Sequence, residues 1–467
     1  MNATVNSEIT IFLANFSELT ERFDPTMILY NRKVKSFKYE TMPLKSLLTT
    51  APQYGANEIG IVRTERNQPR YIRITDIDEF GLLNDSMGVT ANTIDKKYFL
   101  RNNDILFARS GATVGKAYLH KTSSVDYKCF FAGYMIRFVV DENKILPDYL
   151  FTYTQLSPYR EWVKAIQRAA GQPNINSEEY KSLKIPLPAL EIQRQIVAKI
   201  NQAYEAKLQR EEQAQAQERS ITTYILKELG ITIPVKNTGL ESRVFTIFKN
   251  EIDGRFDPLY YYSDLSSFNS GHFESVSIGS VSIELKSGFG AGKQDQASSE
   301  NGIIQVRPTN ITENGILKFD KNVYLPYELR NKNDLIEVGD VLFNNTNSQE
   351  LVGKTAILEE PQEILFSNHI TRIRVDKLKI LPKYLWAILN VYQQNKVFYS
   401  ICTNWNNQSG IGLDLLKSIN IPLPPLYKQG EIIERISDIH YQVKQLQNDA
   451  SEILEAAKRE IEEMILG

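Results

Sequence analysis

The stretch Ser287-Gly288-Phe289-Gly290-Ala291-Gly292-Lys293 has the glycines and terminal lysine of a loop that cradles phosphate. Such a loop requires glycine where Ser287 stands, and Ser or Thr where Gln294 follows the lysine. The spacing fails. Asp264 followed by Glu284-Leu285-Lys286 loosely fits the clustered carboxylates and lysine of a metal-dependent endonuclease, a pattern that arises readily by chance. Methyl transfer to adenine would need a cofactor loop and an Asn/Asp-Pro-Pro-aromatic stretch. The only Pro-Pro, Pro424-Pro425, lies between Leu423 and Leu426. His120, His272, His369 and His440 are scattered, and Cys129 and Cys402 lie far apart, so neither zinc, a disulfide framework nor histidine acid–base chemistry has a constellation behind it. No catalytic residue, metal site or cofactor bound by this chain is predicted.

Other residues fit a different chemistry. Base edges are read by side chains that offer paired hydrogen bonds, Arg or Lys for guanine and Asn or Gln for adenine. Loops of the first half of the chain concentrate Arg63, Arg66, Arg70 and Arg73, then Arg109, Ser110, Thr113 and Lys116, then Gln172 and Asn174. The second half offers Lys286 and Lys293 around the glycine-rich loop, Arg307 with Asn310, the run Asn344, Asn345, Thr346, Asn347 and Ser348, and Lys354. Asn404, Asn406, Asn407 and Gln408 follow, around Trp405. The plainer reading is that Asn, Ser, Thr and Gly are ordinary turn residues, and that Gly115 and Gly353 only permit tight turns.

The charge balance sets a condition on that reading. The net charge of −2 does not favour a polyanion. Locally the balance reverses: Arg101 to Arg137 holds six Lys/Arg against two Asp, and Arg63 to Arg73 holds four Arg against one Glu. The chain has the composition of a globular protein, and no apolar run approaches the roughly 18 residues that cross a bilayer. A cytoplasmic protein is expected.

The elements that position these residues occur twice. Arg22-Phe23-Asp24-Pro25 returns as Arg255-Phe256-Asp257-Pro258, and RITDI (73–77) as RPTNI (307–311). NNDILFARSGATVGKA (102–117) returns as VGDVLFNNTNSQELVGKTA (338–356), ILPDYL (145–150) as ILPKYL (380–385), and KSLKIPLPAL (181–190) as KSINIPLPPL (417–426). Matches in one order at near-constant offsets make a tandem duplication. Each copy opens with short β-rich runs, about 42–140 and 276–375, broken by turn residues. A short helix follows, with Pro147 or Pro382 in its first turn.

After each IPLP the sequence turns helical. Ile432, Ile436, Ile439, Val443, Leu446, Ala450, Ile453 and Ala457 make a heptad seam. Ile192, Ile196, Ile200 and Ala203, then Ile221, Ile225 and Leu229, give the first helix two apolar ends around a polar middle. Pro186, Pro188, Pro422 and Pro424 forbid helix before them and fix where it starts. About 40 residues make a helix of roughly 60 Å, and two of matched length invite antiparallel pairing as a spacer. The expected fold is α+β: two tandem, pseudo-repeated β-rich domains separated by two long antiparallel helices in a coiled coil. The expected segments are 1–21 (N-terminal), 22–188 (first recognition domain), 189–230 (central helix), 231–254 (linker), 255–424 (second recognition domain) and 425–467 (C-terminal helix).

This order resembles the specificity subunits of Type I restriction–modification systems. NDILF (103–107) and GDVLF (339–343), the VGK triplets at 114–116 and 352–354, and IPLPALEIQ (185–193) with IPLPPLYKQ (421–429) carry the resemblance. It covers nearly the whole chain. It implies a non-catalytic reader of a bipartite target in double-stranded DNA, flanked by two modification subunits that methylate adenine with S-adenosylmethionine, with motor–nuclease subunits adding restriction. Exposed faces of the long helices, including Gln193, Arg194 and Gln429, are the expected docking surface for those subunits. An autonomous metal-dependent endonuclease and a coiled-coil protein–protein adaptor are the alternatives.

Overall fold

The computed structural model describes residues 14, 16, 24–111, 113–167, 173–233, 244, 246–249, 252, 256–261, 265–331, 335–406 and 408–467. Contacts divide the chain into two units, 1–211 with 447–467 and 212–446. Each long helix, Leu190–Leu229 and Leu426–Leu466, is thereby shared between them.

In the first unit, strands 53–54, 135–138, 105–108 and 117–119 form one antiparallel sheet in that order. Strands 61–62, 89–90, 70–72 and 129–131 form a second, whose last pair runs parallel. The strands are two to four residues long, too short for alternation to be legible, and 70–72, 105–108 and 129–131 are buried on both faces. Phe107, Phe138, Tyr149, Tyr153, Tyr159, Trp162 and Tyr180 form a largely aromatic core that also takes in Ile196, Ile200 and Ala203 of one long helix and Leu454, Ala457, Ile461 and Ile465 of the other. A second cluster packs around Tyr71 and Phe130, stacked with ring centres 4.6 Å apart.

The second unit repeats this plan with one addition. Its four-stranded sheet runs 282–287, 370–375, 341–344, 355–357, and a three-stranded sheet runs 323–326, 302–306, 364–366. The addition is a three-stranded sheet of 346–347, 408–410 and 403–405. Ile225 and Leu229 of one long helix and Ile432 and Ile436 of the other join its main core, and Ala214, Ile439 and Val443 continue the seam.

Within each unit the long helices run antiparallel. Lys428 bridges Glu228 at 2.6 Å, and His440 lies 3.7 Å from Glu218. In the first unit Lys199 pairs with Glu460. The heptad seam holds through Ala450, then drifts: Leu454 is buried in place of Ile453, followed by Ala457, Ile461 and Ile465. A straight α-helix rotates away from a strict seven-residue repeat. Here the last turns also pack into a broad core rather than against one partner helix.

The two IPLP segments are locked the same way twice. Strand 184–186 pairs with 41–43, and 420–422 with 275–277. Tyr149 donates to the Pro186 carbonyl at 2.7 Å, and Tyr384 to that of Pro422 at 2.8 Å. The prolines thus sit at defined points from which the long helices begin.

Candidate nucleic-acid interface

Four of the basic residues expected to face a nucleic acid are built into the domains instead. Arg63 is buried, its Nε donating to the Gln68 carbonyl at 2.8 Å and its guanidinium 3.9 Å from the centre of the Tyr127 ring. Arg70 is buried and held by the Asn84 carbonyl at 3.0 Å, the Asn84 amide oxygen at 2.7 Å and the Tyr127 hydroxyl at 3.1 Å. The VGK lysines point inward. Lys116 donates to the Ile77 carbonyl at 2.8 Å, and Lys354 to the equivalent Ile311 carbonyl at 2.5 Å. Burial holds the Lys354 ammonium below the usual lysine range. Arg73 and Arg307 start equivalent turns: their backbone N–H groups donate to Asp76 and Asn310, and Arg73 also pairs with Asp76 at 3.1 Å. Arg307 reaches the Gln305 amide oxygen and the Ala291 carbonyl.

The same correction applies to three of the amides. Asn310 is buried and donates to Lys318 O. Asn344 is buried and donates to Leu351 O, while Asn345 donates to Asn368 O and to Thr371 Oγ1. A buried polar group is costly unless paired, and the amide nitrogens of all three are paired within the domain, while Asn344 Oδ1 has no partner among the described residues. We take Arg63, Arg70, Lys116, Asn310, Asn344, Asn345 and Lys354 out of the readout set on that ground.

What remains gathers on one loop pair in each unit. In the first, Ser110 bridges to Asn174, Gly111 N–H donates to Pro173 O at 3.1 Å, and Ile175 N–H to Arg109 O at 2.8 Å. Residues more than sixty apart in sequence thus form one rim holding Arg109, Ser110 and Asn174, with Thr113 on the adjoining turn. Exposed Arg66, in a 3.3 Å ion pair with Asp126, lies on a separate turn. In the second unit the equivalent contact has grown into the added sheet. Thr346 and Asn347 pair with Gly410 and Ser409, and Ile411 N–H donates to Asn345 O. Asn404, Trp405, Asn406 and Gln408 are exposed on its hairpin, Trp405 opposite Gln408, and Asn406 adopts φ +38° in the turn. Gln172, Asn407 and Asp264 lie outside the described residues, as do Arg22, Phe23 and Arg255 of the first repeated landmark.

Two tyrosines were missed in the sequence. The Arg109 guanidinium sits 4.9 Å from the centre of the Tyr54 ring, and Tyr134 supplies the carbonyl that holds Arg109 N–H. Both are partly exposed. No local signal marks them, because the contacts are made by strand pairing.

The glycine-rich loop is pinned rather than open. Gln305 donates to Phe289 O, Arg307 to Ala291 O, and the Asp295 carboxylate accepts Gly292 N–H at 2.7 Å. The N–H groups of Gly288, Phe289 and Gly292 are already taken. Lys293 and Lys286 are exposed at its two ends. Glu284 is ion-paired with buried Arg372, which ties it to the sheet. The framework carboxylates are equally committed: Asp104 pairs with Arg137 at 3.2 Å, and Asp340 lies 3.8 Å from Arg372 at the matching position of the repeat and 2.8 Å from Arg374. Burial raises the Asp104 carboxyl, with Arg101 N–H and Arg137 opposing the shift. Among the described residues no three His, Cys, Asp or Glu side chains cluster as a metal site, and no helix is long and apolar enough to cross a membrane.

Gln193 and Gln429, expected on the outer face of the helices, are fully buried. Each amide clamps one helix start to another: Gln193 accepts Leu146 N–H and donates to Lys144 O and Pro188 O. Gln429 does the same with Leu381, Lys379 and Pro424. Arg194 is exposed, in a 3.3 Å pair with Glu191.

Comparison with known proteins agrees with the repeat. The family described as Type I restriction modification DNA specificity domain matches residues 64–218 and 272–456. A stretch of 123 residues is 37% identical to the type I restriction enzyme MjaX specificity subunit of Methanocaldococcus jannaschii, covering 26% of this chain and 29% of that one. Over 366 residues the chain is 23% identical to the StySPI specificity subunit of Salmonella potsdam, 76% of this chain and 71% of the relative. A solved structure, on complex assembly and conformational transition of the type I R-M system, contains a chain similar at a TM-score of 0.50 and 16% identity, with 89% of this chain and 96% of that one covered. That likeness concerns the fold alone.

Proposed function

Because this chain belongs to the family of Type I restriction modification DNA specificity domains and carries two copies, we propose that it is the DNA-reading subunit of such a complex. Each unit reads one half of a bipartite target in double-stranded DNA. The chain performs no chemistry itself. Two modification subunits dock on it and bring S-adenosylmethionine for adenine methylation, and motor–nuclease subunits join where the assembly restricts DNA.

The observation that carries this reading is the pairing of loops on a repeated frame. Residues that build the frame recur at matching places: the Asp104–Arg137 and Asp340–Arg372 pairs, the two inward-bonded VGK lysines, and the two clamping glutamines. The rim it supports does not recur. One unit offers Arg109, Ser110 and Asn174, the other Thr346, Asn347, Trp405 and Gln408. Two readers of different sequences need that combination, since framework contacts hold position and base-edge chemistry supplies discrimination. The Glu284–Arg372 pair weighs against a nuclease centre at Glu284.

Methylome sequencing of cells with and without the chain tests the reading. One bipartite methylated motif should depend on it, and exchanging residues 42–187 for those of another specificity subunit should change one half of that motif. A methylome indifferent to the chain would defeat the proposal.

A further inference from the structure

We infer that Arg109 reads a guanine in the half of the target contacted by the first unit, an inference that rests on the function proposed above. Of the arginines at 63–73, Arg63, Arg70 and Arg73 are committed to carbonyls or carboxylates, and exposed Arg66 pairs with Asp126 on a separate turn. Arg109 is not so committed. Its side chain makes no hydrogen bond or ion pair among the described residues, and its Nε, like that of Arg70, is buried without an acceptor. Arg70 spends its terminal nitrogens on Asn84 and Tyr127, whereas those of Arg109 are left for a ligand to complete.

The residue is also held in place. Its N–H donates to Tyr134 O at 2.8 Å and its carbonyl accepts Ile175 N–H at 2.8 Å, so the backbone is fixed on both sides. The guanidinium lies over the Tyr54 ring, and the Tyr54 hydroxyl is anchored by Ser177 N–H at 3.2 Å and Ser177 Oγ at 3.3 Å. This cation–π contact holds the guanidinium on one side and leaves its terminal N–H groups to bond. That is the geometry for the O6 and N7 acceptors of guanine, presented side by side in the major groove. The equivalent position in the second unit is Asn345, buried and satisfied, so the guanine preference belongs to one half-site.

The test uses the full chain in its methylating complex. The motif is first mapped by methylome sequencing, and binding is then measured to a duplex carrying that motif and to one in which the half-site guanine is 7-deazaguanine, which lacks N7. Wild type should lose on the order of tenfold or more in affinity on losing N7, and Arg109→Ala, already weakened, should lose nothing further. In cells Arg109→Gln should relax or shift that single position while the other half stays as it was. Tyr54→Leu, a positioning change, should lower discrimination at that position more than overall affinity.

A first half-site without guanine, or equal sensitivity of wild type and Arg109→Ala to 7-deazaguanine, overturns the assignment. So does an Arg109→Gln motif identical to wild type. Those results leave the proposed function standing. Only the absence of any chain-dependent motif removes both. A melting curve of each variant separates loss of reading from loss of fold, and the deaza comparison still decides when a variant no longer supports methylation.

Discussion

The side-chain amide of Gln193 accepts the backbone N–H of Leu146 at 2.8 Å, joining the start of a long helix to the start of a short one 47 residues earlier. The short helix has Leu at its N-cap and Pro147 next, so neither residue can cap it with a side chain. Gln193 accepts the N–H of the N-cap residue itself, the part an N3 Glu or Gln plays in a capping box, and Gln429 repeats it at Leu381.

Replacing either glutamine by leucine strands one N–H and two carbonyls in a buried place. We expect each of Gln193→Leu and Gln429→Leu to cost about 2–4 kcal/mol. Hydrogen exchange should locate the effect, with faster exchange of the Leu146 amide in the first variant and of the Leu381 amide in the second. Unchanged exchange at both would show that the clamp contributes nothing.

The VGK glycines should be intolerant and unequally so. Gly115 and Gly353 hold φ of +88° and +90°, where a side chain is strained. A Cβ on Gly353 would lie 2.1 Å from the buried Phe398 ring, and one on Gly115 2.7 Å from Val163. Gly353→Ala should lower stability by about 3 kcal/mol or more and Gly115→Ala by about 2 kcal/mol, read from denaturant midpoints.

Acid should weaken the first unit through His120. Burial depresses its imidazole to about 4, against an ordinary value of 6.5. Between those values the unfolded chain binds the proton and the folded chain does not, so stability falls as pH drops from 6.5 toward 4 and is complete above 6.5. At about 1.4 kcal/mol per unit the excursion is on the order of 3 kcal/mol. His120→Gln should remove that slope. The raised Asp104 carboxyl acts in the opposite direction, from its ordinary 3.8 upward, and is common to both proteins, so their difference isolates the histidine.

Frame and rim should separate under mutation. Lys116→Met and Lys354→Met each leave a carbonyl without its donor, and should cost about 1–3 kcal/mol while the methylated motif stays the same. Trp405→Ala and Gln408→Ala, on an exposed hairpin, should move stability by less than about 1 kcal/mol yet weaken or relax the second half-site. Melting curves and methylome maps, taken together, decide it. A motif changed by Lys354→Met but not by Trp405→Ala would reverse the assignment of the two groups.

Repetition and period were readable from residues alone. The doubled landmarks, the proline stops at Pro188 and Pro424, and the seam from Ile432 to Ala450 are local patterns, and local patterns survive in a string. Which polar side chains face water is not local. Arg70 and Arg109 look alike in sequence, as do Asn345 and Gln408. One of each pair is buried because Arg70 meets Asn84 and Asn345 meets Asn368 and Thr371. The other of each pair stays on the rim. Strand pairing between residues 26 to 64 positions apart made that choice, bringing Ser110 to Asn174 and Asn345 to Thr371. Hydrogen-bond demand is fixed by residue type, but the partner that meets it is fixed only by the folded chain.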